Sequence, residues 1–327
     1  MNGEPLLFAL NASRDFGEAV SRELGVGLAA HEEREFEDRE HKGRPLVSVR
    51  DGDVYVVQSL YGDAKASADD KLTRLLFFLG ALKDAAAARL TAVVPYLAYS
   101  RKDRRSKPRD PVTTRYIAAL FEAVGTDCVL TLDVHNLAAY QNAFRCRSEH
   151  LEAAPLFVHH LKPLLGDEDV AVVSPDAGGI KRADAFRQRL AASLGRPVGA
   201  AFAEKYRSGG VVSGEALAGD VAGKVAVIVD DLISAGTTVA RATLNCREHG
   251  ATRVLAVASH GVFADAANTV LGESDVERIV VTNTIAPWRV SDARLKSKLD
   301  VVSTAGLFAE AIRRLNSGGS IVELNES

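Results

Sequence analysis

Short, predominantly apolar runs recur along the chain, most of them followed by a polar or small residue. They occupy residues 6–10, 53–58, 92–95, 128–132, 170–174, 225–229, 254–258 and 279–281. Runs of this length without polar alternation predict strands buried on both faces, as in a parallel sheet. Between them the spacing of apolar residues changes to a helical period. Residues 14–24 predict a helix ended by Gly25. Ser67-Ala-Asp-Asp70 reads as a capping box that opens a helix with Leu72, Leu75, Leu76 and Leu79 on one face. A further helical face carries Val239, Ala242, Thr243 and Cys246. Strand and helix in alternation predict an α/β protein with open, mostly parallel sheets flanked by helices. Both halves repeat the outline of apolar strand, terminal acid and loop. Two stacked domains of one fold are therefore expected, 1–154 and 155–327, with the polar stretch 145–152 just before the boundary.

Composition narrows this picture. A chain of 327 residues can bury two cores of ordinary size. The net charge of −3 gives nucleic-acid binding no support. Cys128, Cys146 and Cys246 are odd in number and widely spaced, without a metal or disulfide pattern, which suits a reducing cytosol. The first ten residues lack a basic segment ahead of their short apolar run, unlike a signal peptide. No apolar stretch approaches the ~20 residues of a membrane span. A cytoplasmic protein without membrane or nucleic-acid partners is the expectation.

The chemistry concentrates where predicted strands end. After the run 225–229 come Asp230 and Asp231, then Ser234, Ala235, Gly236, Thr237 and Thr238, then a helix. Small residues at a helix start let backbone N–H groups close on a phosphate, and the helix dipole adds positive charge. The two acids stand where ribose hydroxyls can be hydrogen-bonded. A buried strand with a capped helix behind it would not need paired carboxylates there. Asp176, Ala177, Gly178 and Gly179 end another strand. That turn suits a pyrophosphate, with a divalent ion on Asp176. Asp133 and His135 close a third, a weaker signal taken alone.

Residues 99–109 include six Lys or Arg. By charge alone this is a solvated basic loop, or a nucleic-acid patch without interleaved aromatics beyond Tyr99. Its place after a strand end favours neutralising a triphosphate instead. Lys205 and Arg207, two apart on an extended segment, point the same way beside Gly209, Gly210 and Gly214, and are expected to form a cationic flap over a phosphoryl-transfer site. Residues 32–40 form a charged stretch that composition alone would read as a solvated hairpin, yet it carries Phe36.

Together these motifs closely resemble the ribose-phosphate pyrophosphokinase family, whose domains have the type I phosphoribosyltransferase fold. The likeness runs from about residue 8 to about residue 314. Arg101-Lys102-Asp103-Arg104-Arg105 resembles the family's ATP loop, Asp133-Val134-His135 its metal motif, and residues 174–179 its pyrophosphate loop without change. The resemblance implies transfer of intact pyrophosphate from ATP to the C1 hydroxyl of ribose 5-phosphate. It assigns Lys205, Arg207 and His135 to catalysis, and His135 with Asp176 to Mg2+. Phe36, Asp38, Glu40, Arg101, Lys102 and Asp103 are assigned to ATP. Asp176, Ala177, Gly178 and Gly179 are assigned to pyrophosphate, and Asp230, Asp231, Ser234, Ala235, Gly236, Thr237 and Thr238 to ribose 5-phosphate. It also implies a homo-oligomer, a hexamer built on dimers, in which Phe36 reaches adenine in the next subunit. Lys102 stands where the family usually has Gln, Ser106 where Asp is common, and residues 234–238 read more like a transferase loop. Ser48, Arg50 and Ser320 match a regulatory phosphate and ADP site, whereas Val322 does not, so allosteric control stays open. A phosphoribosyltransferase would explain residues 225–239 but not the ATP loop. A catalytically weak regulatory homologue would be expected to lose His135, Lys205 or Arg207.

Overall fold

The computed structural model describes residues 3–208 and 211–326, with the backbone alone at 204–208, 211–216 and 326. The chain begins with β1 (Leu6–Ala9), α1 (Arg14–Leu24) and a hairpin of β2 (His31–Glu35) and β3 (His41–Pro45). It continues through β4 (Asp53–Val57), α2 (Ala68–Asp84), β5 (Arg89–Val94), α3 (Thr113–Ala123), β6 (Cys128–Leu132), α4 (Leu137–Ala143) and β7 (Arg147–Leu151). Next come α5 (Ala154–Leu165), β8 (Val170–Ser174), α6 (Ile180–Leu194), β9 (Gly199–Ser208), β10 (Val211–Gly219), β11 (Val225–Ile233), α7 (Thr237–Glu248) and β12 (Arg253–Gly261). The chain closes with α8 (Ala266–Glu273), β13 (Arg278–Thr282), α9 (Ala293–Lys298), β14 (Leu299–Val302), α10 (Ala305–Ser317) and α11 (Ile321–Glu326).

Two compact units result, Met1–Glu152 with Thr304–Ser327, and Ala153–Ser303. The sequence pattern predicts 155–327 as one domain, whereas α10 and α11 pack with the first unit. The reason is in the side chains of α10. Phe308 packs edge-on against Phe16 of α1 at 5.5 Å, and Asn316 Nδ2 donates to Asp53 Oδ2 at 2.8 Å. Asp53 is nearly buried and is also held by the Arg89 guanidinium and the Tyr55 hydroxyl. An amphipathic helix announces its apolar face, but its spacing does not say which core receives that face.

The first unit has a five-stranded sheet ordered β1-β4-β5-β6-β7, parallel throughout, with β2 and β3 as a separate antiparallel pair. Every residue of β4 and of β6 is buried, Asp53 and Thr131 included, the result expected of predominantly apolar runs. Ser67 and Asp70 form the reciprocal capping box of α2. The second unit has a seven-stranded sheet ordered β10-β9-β8-β11-β12-β13-β14, antiparallel only where β10 meets β9. From β8 the chain passes through α6 to β9 on one side. From β11 it passes through α7 to β12 on the other. The sheet therefore reverses its winding between β8 and β11, and α/β sheets bind ligands outside the C-terminal strand ends at such a point.

Pairing of β8 with β11 runs from Val170↔Val225 to Val173↔Ile228, whereas β11 and β12 stay paired to Ile233↔Gly261. β11 thus extends four residues past the apolar run, and Asp230 and Asp231 lie inside the strand rather than after it. Among the described residues, no helix is long and apolar enough to cross a membrane.

Candidate active site

In the second unit the switch point gathers the groups expected there. Asp231 is 5% exposed and Asp230 only partly so. Arg182, on the first turn of α6, bridges them, with Nη1 at 3.5 Å from Asp230 Oδ1 and 3.2 Å from Asp231 Oδ1. Burial and the adjoining Asp231 carboxyl push Asp230 up to about 7, against the pull of the Asp231 N–H and Arg182.

The loop after β11 leads straight into α7. Gly236 caps this helix with φ +79°, and a Cβ there would come within 2.5 Å of Leu271 Cγ, so only glycine fits. No side chain caps the N-terminus of α7. Its first N–H groups and its dipole are left for a ligand, unlike those of α2. Thr237 is exposed and Ser234 and Thr238 half-buried at this end.

Asp176 follows β8. Its Oδ1 accepts from the N–H groups of Gly178 and Gly179 at 2.9 and 3.0 Å. The N–H groups expected to cradle pyrophosphate therefore have an internal carboxylate partner. Gly179 lies so close to Ser174 that a Cβ would meet its Oγ at 2.8 Å. Lys205 and Arg207 lie on β9, opposite Glu215 and Val212 of β10, but their side chains are outside the described residues.

In the first unit the basic loop leaves β5. Tyr99 has φ +64° and Arg109 φ +71°, costly for non-glycine residues. The Tyr99 carbonyl oxygen accepts from Lys102 N–H and Thr114 Oγ1, both at 3.0 Å, and the Tyr99 hydroxyl donates to Asp69. The turn is thereby pinned at its base while Arg101, Lys102, Arg104 and Arg105 stay exposed. Asp103 accepts from Asn136 Nδ2 at 2.7 Å, which ties this loop to the end of β6. There Asp133 adopts φ +39°, His135 is exposed, and the Val134 N–H donates to His150 Nε2 at 3.3 Å. Burial holds the His150 imidazole below its ordinary value, so it accepts this bond as the neutral ring. Phe36, Asp38 and Glu40 occupy the tip of the β2–β3 hairpin. Phe36 N–H donates to Glu40 O at 2.8 Å, Glu40 N–H to Asp38 Oδ1 at 3.1 Å, and the Arg34 guanidinium covers the Phe36 ring at 4.8 Å.

Residues 6–125 match the family model of the N-terminal domain of ribose phosphate pyrophosphokinase, and residues 213–325 that of the phosphoribosyl synthetase-associated domain. The ribose-phosphate pyrophosphokinase of Caldanaerobacter subterraneus subsp. tengcongensis is 36% identical over 97% of this chain and 96% of its own. That of Hyphomonas neptunium is 35% identical over 97% of this chain and 98% of its own. The chain belongs to the ribose-phosphate pyrophosphokinase family. The fold agrees, since the crystal structure of the phosphoribosylpyrophosphate synthetase from Mycobacterium smegmatis superposes with a TM-score of 0.86. That protein is 33% identical, over 97% of this chain and all of its own.

Within this family member the expected residues fall into separate clusters. Arg101, Lys102, Asp103 and His135 belong to the first unit's strand ends, and Phe36, Asp38 and Glu40 to its hairpin. Asp176, Gly178, Gly179, Asp230, Asp231 and residues 234–238 belong to the second unit's switch point. Arg182, Asn136 and His150 were not singled out by sequence. Arg182 could have been found from its place on the turn after Gly179. His150 sits in a polar edge strand with no local signal.

Proposed function

We propose that these clusters divide one reaction between them, the hairpin and basic loop serving ATP and the β8–β11 switch point serving the sugar. As a ribose-phosphate diphosphokinase, the enzyme transfers the intact pyrophosphoryl group of ATP to the C1 hydroxyl of ribose 5-phosphate. The products are 5-phosphoribosyl 1-pyrophosphate and AMP. The 5-phosphate sits on the uncapped start of α7, held by Ser234, Ala235, Gly236, Thr237 and Thr238. Asp230 and Asp231 accept from the ribose hydroxyls, and Arg182 offsets their mutual repulsion. Arg101 and Lys102 neutralise the triphosphate, with Asp103 as the loop's anchor through Asn136. Phe36 stacks on adenine, and Asp38 and Glu40 accept from its amino group. Lys205 and Arg207 stabilise the charge that spreads over the β-phosphate oxygens as the C1 oxygen attacks in line.

The donor set also bears on the metal. Among the described residues, no cluster of three or more His, Cys, Asp or Glu is arranged to hold an ion. Asp176 spends only Oδ1 on Gly178 and Gly179, leaving Oδ2 as a hard oxygen donor. A site this sparse fits Mg2+, which keeps its waters and binds mainly through substrate phosphates. Asp176 and His135 would hold it, and when bound it would neutralise charge on the phosphate oxygens. Pyrophosphate at Ala177, Gly178 and Gly179 would compete with the Asp176 carboxylate for the two glycine N–H groups, and a carboxylate released from them would be available to bind the metal. We assign the protein to the cytoplasm and to a homo-oligomer, a hexamer built on dimers.

The observation that carries the sugar site is the uncapped α7 N-terminus beside the acid pair. Gly236→Ala tests it. The strained φ and the clash with Leu271 displace the first N–H groups of α7. KM for ribose 5-phosphate should rise by roughly tenfold or more, while KM for ATP changes little. An unchanged KM for the sugar would remove α7 from the site.

A further inference from the structure

The hairpin that carries Phe36, Asp38 and Glu40 is fastened to its unit by an unusual buried group. The side chains of His31, Glu33 and His41 are 4, 6 and 8% exposed. His31 Nε2 lies 3.0 Å from Glu33 Oε1, and His41 Nε2 lies 3.1 Å from Glu33 Oε2. The backbone N–H of Asn11, just after β1, also donates to Glu33 Oε1. One carboxylate thus collects three donors from β2, β3 and the loop beyond β1. Burial alone would raise the Glu33 pKa, but the bonds from His31 and Asn11 and the charges of His31 and His41 outweigh it and hold the carboxyl below its ordinary value.

The setting of the cluster is apolar. His31 meets Phe8 edge-on at 6.2 Å and Phe78 at a tilt at 5.5 Å, and a Cβ on Gly43 would touch Phe78 at 3.1 Å. A surface of this kind would accept apolar side chains at 31, 33 and 41. The polar choice also has a cost, because His41 Nδ1 is buried without a hydrogen-bond partner. Local rules broken in this way are expected where function is being served. Apolar contacts tolerate a sliding strand, whereas three hydrogen bonds to one carboxylate fix register and height together. The tip is close by. Glu33 is three residues from Phe36, about 10 Å of strand, and Glu35 is directly opposite His41 and paired with Arg74 of α2 at 2.5 Å.

We propose that Glu33, clamped between His31 and His41, is a positioning residue that sets where the hairpin tip presents Phe36, Asp38 and Glu40 to adenine. This rests on the assignment of that tip to ATP. A strut of this kind acts on nucleotide binding and leaves the sugar end and the chemical step alone.

Steady-state kinetics of Glu33→Gln, His41→Leu and Phe36→Ala test it. The amide of Glu33→Gln turns one acceptor into a donor facing an imidazole N–H. His41→Leu removes one donor but also the orphaned Nδ1, so its thermal midpoint should hold or rise. Both should raise KM for ATP by roughly fivefold or more with kcat within about twofold and KM for ribose 5-phosphate unchanged. A purely structural cluster would instead lower the midpoint and disturb both substrates or neither, and either pattern overturns the proposal. If Phe36→Ala raises KM for ATP and neither Glu33→Gln nor His41→Leu does, the strut is disproved and the tip assignment survives. If all three leave it unchanged, both fall. Should Glu33→Gln fail to fold, His41→Leu decides.

Discussion

At the scale of residues, the sharpest feature is the acid pair. Asp230 is pushed up to about 7 by burial first, then by Asp231, with Arg182 pulling the other way. A protonated Asp230 cannot accept from a ribose hydroxyl as a carboxylate does, so kcat/KM for ribose 5-phosphate should climb as pH rises through about 7. Arg182→Gln removes the opposing charge and should move that limb upward by roughly half a pH unit or more. The phosphate of the substrate titrates too, but identically for both proteins, so the displacement between the two profiles is the measurement. Coincident profiles would exclude Asp230 as an acceptor. Stability follows the same proton with a definite sign. The folded-state pKa lies above the unfolded one, so the contribution is complete below the ordinary carboxylate range and is lost as pH rises through about 7.

At the scale of elements, the parallel strands were legible because burial on both faces leaves an uninterrupted apolar run. The Ser67–Asp70 box was legible because both of its bonds are local. What escaped lacked such a local cause. β7 reads Arg147-Ser-Glu-His-Leu151 and is fully buried only at its last residue. It is a strand because β6 supplies the pairing partner. β2 is polar along its whole length, and its buried Glu33 is satisfied by His41 from another strand and by Asn11 from a loop. Arg182 and His150 gain their meaning from groups distant in sequence, and α10 finds its core through Phe16 and Asp53. The candidate site divides in the same way. Loops at strand ends, such as 176–179 and 234–238, are written in consecutive residues. The struts beneath them are not. The contrast between α2 and α7 is of one kind with this. Ser67 supplies α2 with its own cap, whereas Gly236 gives α7 a sharp turn and no side-chain cap.

At the scale of the whole molecule, the account predicts active sites shared between chains. The double variant Asp38→Ala with Glu40→Ala lacks the proposed adenine contacts, and Lys205→Ala lacks the charge proposed to meet the transition state. Each should be nearly inactive. Mixed and refolded together they should recover about a quarter of wild-type activity, because random pairing makes half the dimers mixed, with one intact site of two. No recovery despite demonstrated exchange would exclude a shared site. The central claim is that ATP gives up its β- and γ-phosphates together to a sugar hydroxyl, and one measurement bears on it most directly. The protein is incubated with ATP, ribose 5-phosphate and Mg2+, and the nucleotide products are resolved against phosphoribosyl pyrophosphate formed. The account predicts AMP in equal amount to phosphoribosyl pyrophosphate, and none without ribose 5-phosphate. Accumulation of ADP in its place, or AMP released without the sugar, would contradict it.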